Sequence, residues 1–271
     1  MLSVVIPVKD IHNATKLCID RLRVHAKGDL DIIIIDNASE IPAEDVFQDV
    51  TVFRNEINVG FWPSMLQGLK LAQSAYVLMM HNDVFIHEGN FDQRIIEEFM
   101  LDSQLGAVGL FGGRGVDSQG GRGHPEGNML GKVYGTPQKD HGHLLTTEHP
   151  AVVFDSLAIC INKNIIPLLN VEDIPPHHWT DRILCLRVIK ADYHCLTVGI
   201  GFDHGGSFTS ATASMSNFSE TWCNSKGLEL NETWENTLYN YGLNMFRTEF
   251  NEITGGKSQL WVDKDFKYYV V

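Results

Sequence analysis

The sequence predicts an α/β fold: a mostly parallel central sheet flanked by helices, followed by a C-terminal helical appendage. Three observations predict it. Short apolar runs alternate with segments of helical periodicity through the N-terminal part of the chain. The runs lack polar alternation, and in Asp31 to Ile35 four of five residues are isoleucine, the composition of a strand covered on both faces. Each run stops abruptly on polar residues, at the strand ends where the crevice of a doubly wound sheet opens.

In chain order, Val4 to Ile6 reads as a strand ending at Pro7, and Asn13 to Val24 as a helix with Ala14, Leu17, Cys18 and Leu22 on its apolar stripe. The isoleucine run stops at Asp36-Asn37-Ala38-Ser39. Thr51-Val52-Phe53 is a third strand before Asn55, and Ser64 to Gln73 a helix carrying Met65, Leu66, Leu69 and Ala72. Val77 to Met80 is a fourth strand, ending at His81-Asn82-Asp83. The stretch Gly112 to Gly142, rich in glycine and histidine and without apolar periodicity, predicts a long surface loop or small insertion. Beyond it, Val152 to Ile161 predicts a strand, Asp181 to Lys190 a helix, and Cys195 to Ile200 a strand that leads to Asp203-His204-Gly205-Gly206. The remainder, with Trp222, Trp234, Tyr239, Tyr241 and Phe246, predicts one or two helices and an aromatic tail.

Composition bounds the partners. With 271 residues the chain can bury a substantial core, and its net charge of -13 argues against nucleic acid or anionic membrane as a general partner, since such binding is driven by Lys and Arg. Five scattered cysteines without a Cys-x-x-Cys pair fit buried free thiols in a reducing compartment. The N-terminal residues lack a basic region and cleavage site, and no apolar stretch approaches the length of a membrane span. These features predict a cytoplasmic protein without a transmembrane segment.

Chemistry-bearing residues gather at the predicted strand ends: Pro7, Asp36 and Asn37, Asn55 with Asn58-Val59-Gly60-Phe61, and Asp83. A nucleotide-sugar site needs groups to hydrogen-bond base and ribose, a cation for the diphosphate, and a carboxylate for that cation. Asp36, Asn37 and Asp83 are of those types. No Gly-x-Gly-x-x-Gly follows the first strand and no Walker-type lysine loop occurs, so the usual phosphate cradles are missing. Nucleotidyltransferases normally carry a Gly-rich loop after the first strand, whereas Pro7-Val8-Lys9-Asp10 has a lysine and no glycine.

Ile6-Pro7, Asp36-Asn37-Ala38-Ser39, Asn58-Val59-Gly60-Phe61 and His81-Asn82-Asp83 resemble the motif series of the family 2 glycosyltransferases of GT-A fold, a Rossmann-like fold, and especially the rhamnosyltransferase-like branch. The resemblance runs on through Gly106-Ala107-Val108-Gly109, Asp155 to Lys163 and Trp179 to Arg187 to Asp203-His204-Gly205-Gly206, about three quarters of the chain. It implies a nucleotide-sugar-binding half over 1–110, an acceptor and catalytic half over 111–210, and an extension over 211–271. It implies a UDP-, GDP- or dTDP-sugar donor held by Asp36 and Asn37 with Pro7, Asp10, Asn58, Gly60 and Asn82 around them. It further implies Mn²⁺ or Mg²⁺ at Asp83 with His204 near the metal or phosphate, and Asp181 as the base that deprotonates the hydroxyl of a saccharide, lipid-linked or protein acceptor, with inversion.

The sequence departs from the pattern at His81, where the family has Asp or Asn, at Leu66, and at Thr180 and Ile183 beside Asp181. Imidazole at His81 and His204 favours Mn²⁺ over Mg²⁺. Plainer readings stand beside these. Asp36-Asn37-Ala38-Ser39 is also a turn-and-cap sequence, Asp83 a loop carboxylate, and Asp181 a helix-start residue facing the dipole. His124, His141, His143 and His149 lack cysteine partners and zinc-ligand spacing, so they predict no zinc site. Trp179 is of a type that stacks on a sugar ring. The departures around Asp181 keep a catalytically silent sugar-binding module open as the second reading.

Overall fold

The computed structural model describes residues 1–122, 129–134, 141–143, 145, 147–205 and 214–271, with backbone alone at 129–134, 141–143 and 214–217. The N-terminal part runs β1 (Leu2–Val8), α1 (His12–His25), β2 (Leu30–Asp36), α2 (Ala43–Val46), β3 (Thr51–Arg54), α3 (Phe61–Leu71), β4 (Tyr76–Met80), β5 (Val84–Ile86), α4 (Phe91–Leu101) and β6 (Leu105–Gly109). There follow β7 (Gly112–Gly113), β8 (Gly115–Asp117), β9 (Met129–Tyr134), β10 (His141–His143), β11 (His149–Ala151), β12 (Val153–Phe154) and β13 (Ala158–Asn162). The chain continues through α5 (Thr180–Lys190), β14 (His194–Thr197), β15 (Phe202–His204), α6 (Ser214–Ser225), α7 (Trp234–Thr254), β16 (Gln259–Val262) and β17 (Tyr268–Val270).

Among the described residues the main sheet has eight strands in the order β11-β14-β6-β13-β4-β1-β2-β3. From β4 to β3 every neighbour is parallel, and β14 is parallel to β6. The strand β13 lies antiparallel between β4 and β6. Strand pleating sends Val5, Ile33 and Ile35 to one face, under Trp62, Met65 and Leu69 of α3. Leu2, Val4, Ile6, Ile32 and Ile34 go to the other, under Cys18, Ile19 and Leu22 of α1 and Phe91, Ile95 and Phe99 of α4. With both faces covered, this is the mixed α/β architecture with a mostly parallel, Rossmann-like sheet that the sequence predicts. No helix of the described residues is long and apolar enough to cross a membrane.

Three expectations change in detail. Gly112 to Gly142 holds β7, β8, β9 and β10, whose glycines and brevity leave no apolar period to read. At Gly112 a Cβ would lie 2.4 Å from the Val153 carbonyl oxygen, so glycine there permits the β7–β12 pairing. Val152 to Ile161 is two strands, broken where the Asp155 carboxylate accepts the Leu157 N–H at 3.3 Å. The aromatic tail is a β16–β17 hairpin that pairs with β8, beyond the expected helices α6 and α7. His124 lies outside the described residues, as do the side chains of His141 and His143.

Helix α3 approaches β1 through Gly68, where a Cβ would stand 2.1 Å from Val5 Cγ1 and 3.0 Å from Val5 Cβ. Valine is stiff at χ1 and cannot swing away. Gly68→Ala is therefore expected to destabilise the fold by about 1–3 kcal/mol, the usual cost of overpacking, despite the better helix propensity of alanine. Adding Val5→Ala should return part of the loss; urea unfolding midpoints at unchanged m measure both. A single variant as stable as the parent would show that α3 does not sit this close.

Candidate active site

The strand ends of β4 and β15 converge on Asp83. β4 stops at Met80, and after His81, Asn82 and Asp83 the chain resumes as β5, which pairs antiparallel with β15 so that Val84 faces His204. The Gly205 N–H donates to the Asp83 carbonyl at 2.9 Å and locks that register. As a result His204 Nε2 lies 3.5 Å, and His81 Nδ1 4.0 Å, from Asp83 Oδ1. One ligand atom from each of the three falls within 4.8 Å of the others. Asp83 is 5% exposed. It raises the His204 pKa above the ordinary imidazole value against desolvation, whereas at His81 desolvation outweighs the same carboxylate and holds the pKa down. His204 Nε2 is buried without a hydrogen-bond partner. An orphaned buried nitrogen beside a carboxylate and a second imidazole is the donor chemistry that a transition-metal dication satisfies.

His81 also lines a cavity of about 320 Å³ whose wall includes Phe61, Arg122, Asp155, Asp181 and Tyr239. Asp181, 6% exposed, sits in the first turn of α5. Its Oδ1 accepts the Arg182 N–H at 2.9 Å and Arg182 Nη1 at 3.1 Å, while Arg122 Nη1 stands 3.7 Å from Oδ2. Arg122 also grips Asp155 at 2.7 Å and the Phe154 carbonyl at 3.1 Å. Burial works against the Arg122 charge, but Asp155 and Asp181 hold it firmly protonated; burial likewise works against the Asp155 carboxylate, and Arg122 still lowers its pKa. Desolvation pushes His177, on the same wall, down to about 4. Behind this wall Trp179 stacks on Phe246 with ring centroids 5.3 Å apart, and the Arg182 guanidinium lies 5.2 Å from its ring.

The residues expected to hold a donor split into two groups. Asp36 has no exposed surface, and its carboxylate accepts the N–H groups of Ser39 at 2.8 Å and Ala43 at 3.0 Å and a hydrogen bond from Arg54. Asn37, 5% exposed, receives Asn55 Nδ2 and Ser64 Oγ, each at 3.0 Å, on its side-chain oxygen. Both expected nucleoside contacts, Asp36 and Asn37, thus lie in a buried polar network, because buried groups take the nearest donors. Of the remaining expected donor residues, Asp10 adopts φ 64° and accepts the Glu40 N–H at 2.7 Å, and Pro7 pairs with Ile35 in the β1–β2 register. Asn58 accepts the Gly60 N–H at 2.9 Å, which holds Gly60 at φ 89° as α3 begins. Asn82 donates to Thr15 at 3.0 Å.

The structure therefore joins His81, Asp83 and His204 in one cluster and Asp181 to the adjoining cavity, with Asp36 and Asn37 buried in a hydrogen-bonded network at the end of β2. Arg122, Asp155, His177, His178 and Tyr239 escape the sequence reading. Asp155-Ser156, polar inside an otherwise apolar run, and the doublet His177-His178 after two prolines are the signals that could have found some of them.

The sequence model described as glycosyl transferase family 2 matches residues 3–161. No curated protein sequence matches the chain. Among solved structures, residues 1–349 of S. aureus TarS in complex with UDP-GlcNAc superpose with TM-score 0.54 at 13% identity, covering 94% of this chain and 75% of that one. GalNAc-T7 with UDP, GalNAc and Mn²⁺ superposes with TM-score 0.58 at 12% identity, covering 94% of this chain and 57% of that one. At such identities the likeness is one of fold.

The Asp36 network generates a prediction that separates support from contact. Burial alone would raise the Asp36 pKa, but hydrogen bonds from Ala43, Ser39 and Arg54 bring it below the ordinary value. A depressed carboxylate stabilises the fold above its unfolded pKa of about 3.9 and loses that contribution as pH falls through the folded value. Asp36→Asn should lower unfolding free energy by about 1–3 kcal/mol at neutral pH, from donors left unsatisfied. The gap from the parent should narrow below about pH 4. Unchanged stability with weakened nucleotide binding would return Asp36 to a contact role.

Proposed function

The chain belongs to glycosyl transferase family 2, and from that premise we propose that it moves a sugar from a nucleoside-diphosphate-sugar to an acceptor hydroxyl, with a divalent cation and inversion at the anomeric carbon. The observation that carries this reading is Asp83 between two imidazoles at the carboxyl end of β4, opening through His81 onto the cavity that holds Asp181. Such an end, beside the β1–β4 turning point of strand order, is where ligands bind in open α/β sheets.

His81, Asp83 and His204 would hold the cation, with Mn²⁺ favoured by the nitrogen donors; when bound, it supplies positive charge against the negative charge that develops on the departing diphosphate. Asp181 takes the proton of the acceptor hydroxyl as its oxygen bonds to the anomeric carbon and the carbon–phosphate-oxygen bond breaks. Arg182 and Arg122 fix the carboxylate in one orientation. Phe61 and Tyr239 give the cavity apolar rings suited to a sugar face. Pro7, Asp10, Asn58, Gly60 and Asn82 form the rim against which the nucleotide lies, and Asp36 and Asn37 keep its floor rigid. The nucleotide of first choice is UDP, which both solved neighbours carry. The five buried thiols accord with a reducing, cytoplasmic setting. A silent sugar-binding module is the second reading, favoured by the pairing of Asp181 with two arginines.

Two variants decide the matter with a panel of UDP-, GDP- and dTDP-sugars. Asp83→Asn should cut transfer by about 10²–10³-fold and abolish the part of nucleotide affinity that depends on Mn²⁺. Mn²⁺-dependent affinity equal to the parent's would remove Asp83 from the cation site.

Asp181→Asn should lower turnover by about 10²–10⁴-fold while nucleotide affinity holds, because an amide cannot accept the proton. Near-parental turnover would leave Asp181 a helix-start residue and move Asp155 forward as base. Absence of diphosphate release from every donor by the parent protein would establish the silent reading.

A further inference from the structure

A second group of ligand-type side chains includes two histidines that line the same cavity as His81. His177 and His178 precede α5, and Glu235 sits in the first turn of α7. One nitrogen from each histidine and one oxygen from Glu235 fall within 4.8 Å of one another. Adjacent residues on an extended chain point to opposite sides. Here His178 and Trp179 take φ 57° and 56°, and the turn brings the two imidazole centroids to 4.4 Å. The buried Trp179 side chain and hydrogen bonds from the Thr180 hydroxyl to the Pro175 and His178 carbonyls, at 3.5 and 3.2 Å, hold that turn.

His178 Nε2 contacts Glu235 Oε1, and the other carboxylate oxygen accepts a hydrogen bond from Ser219 of α6 at 2.8 Å. An outer hydroxyl that orients a ligating carboxylate is a usual support for a metal ligand. A His178–Glu235 ion pair alone would leave His177 without a polar role, since its ring packs against His178 and Phe218 and has no hydrogen-bond partner among the described residues.

We propose that His177, His178 and Glu235 form a second cation site, for a zinc-class dication, distinct from the Asp83 cluster. Two imidazoles and one carboxylate make the donor set of an open tetrahedral zinc site, with the fourth position left to water. The set is poor for Mg²⁺ and Ca²⁺, which take oxygen. Because its ligands come from the segment before α5 and from α7, with Ser219 of α6 behind them, an occupied site ties the C-terminal helices to the wall of the Asp181 cavity. The donor geometry is the same whether or not the chain transfers sugar.

The test is calorimetric titration of the chelator-stripped full chain with ZnCl₂. The parent is expected to bind two equivalents, Asp83→Asn one, and His177→Ala and Glu235→Gln one each. In the Asp83→Asn background Zn²⁺ should raise the melting temperature, and adding His177→Ala should remove that rise. His177→Ala leaves the His178–Glu235 contact in place, so it reports on the site without opening the ion pair. Zinc binding by His177→Ala and Glu235→Gln equal to the parent's would overturn the proposal, as would an Asp83→Asn protein that binds no zinc.

Discussion

A sheet covered on both faces strongly disfavours an unpaired charged side chain, and the arrangement of this molecule follows from that constraint. Burying a lone carboxylate or amide costs several kcal/mol, so polar groups leave the strands where the strands end. Val4 to Ile6, Ile32 to Ile35 and Val77 to Met80 are sealed between helices, and Asp36, Asn37, His81 and Asp83 follow the last two of these runs. Asp36 is the instructive case at the boundary. It stays inside because backbone N–H groups and Arg54 meet it there, and in return it ties the end of β2 to β3 and to the start of α2.

The same constraint explains what could be read in advance. Uninterrupted isoleucine and valine announce doubly covered strands, so β1, β2 and β4 and the polar residues after them were visible in the chain. Asp83 with His81 and His204 could be singled out because each closes or follows such a run. The wall around Asp181 was not legible. Arg122 lies in a glycine-rich stretch without period, Asp155 hides in a turn between two strands that merge into one apolar run, and Tyr239 lies on a long helix among other aromatics. Their convergence is a property of tertiary packing. The short β5 was missed because three residues give no period to detect, yet its pairing with β15 is what carries His204 to Asp83. Asp36 and Asn37 carried the opposite lesson: their residue types fit ligand contact and internal capping equally, and their burial and hydrogen bonds are visible only in the fold.

Electrostatics give the cavity a character unlike that of the whole chain. The protein as a whole is strongly acidic, with a net charge of -13. Arg122 and Arg182 nevertheless sit on the wall beside Asp155 and Asp181, so charge there is locally paired. Paired groups polarise less and reorganise less than isolated ones, and they keep fixed directions in a poorly solvated space. Trp179 is held in the same way by packing, since a Cβ at Gly120 would lie 2.2 Å, and one at Gly242 2.8 Å, from its ring. The segment before α5, β8 and its following turn, and α7 meet on that one indole.

All five cysteines are free and fully covered, and burial pushes the thiols of Cys18, Cys160 and Cys185 far from the reactive thiolate form. The folded molecule is thereby silent toward thiol reagents, and any labelling of it counts openings rather than surface. The positions divide the interior: Cys18 lies under the His81 carbonyl, Cys185 and Cys195 lie between α5 and the sheet, and Cys223 lies between α6 and α7. Mass spectrometry of pulse-alkylated protein would therefore time the loosening of each layer separately. A cysteine placed at an exposed rim position would take a fluorophore alone, with no native thiol removed.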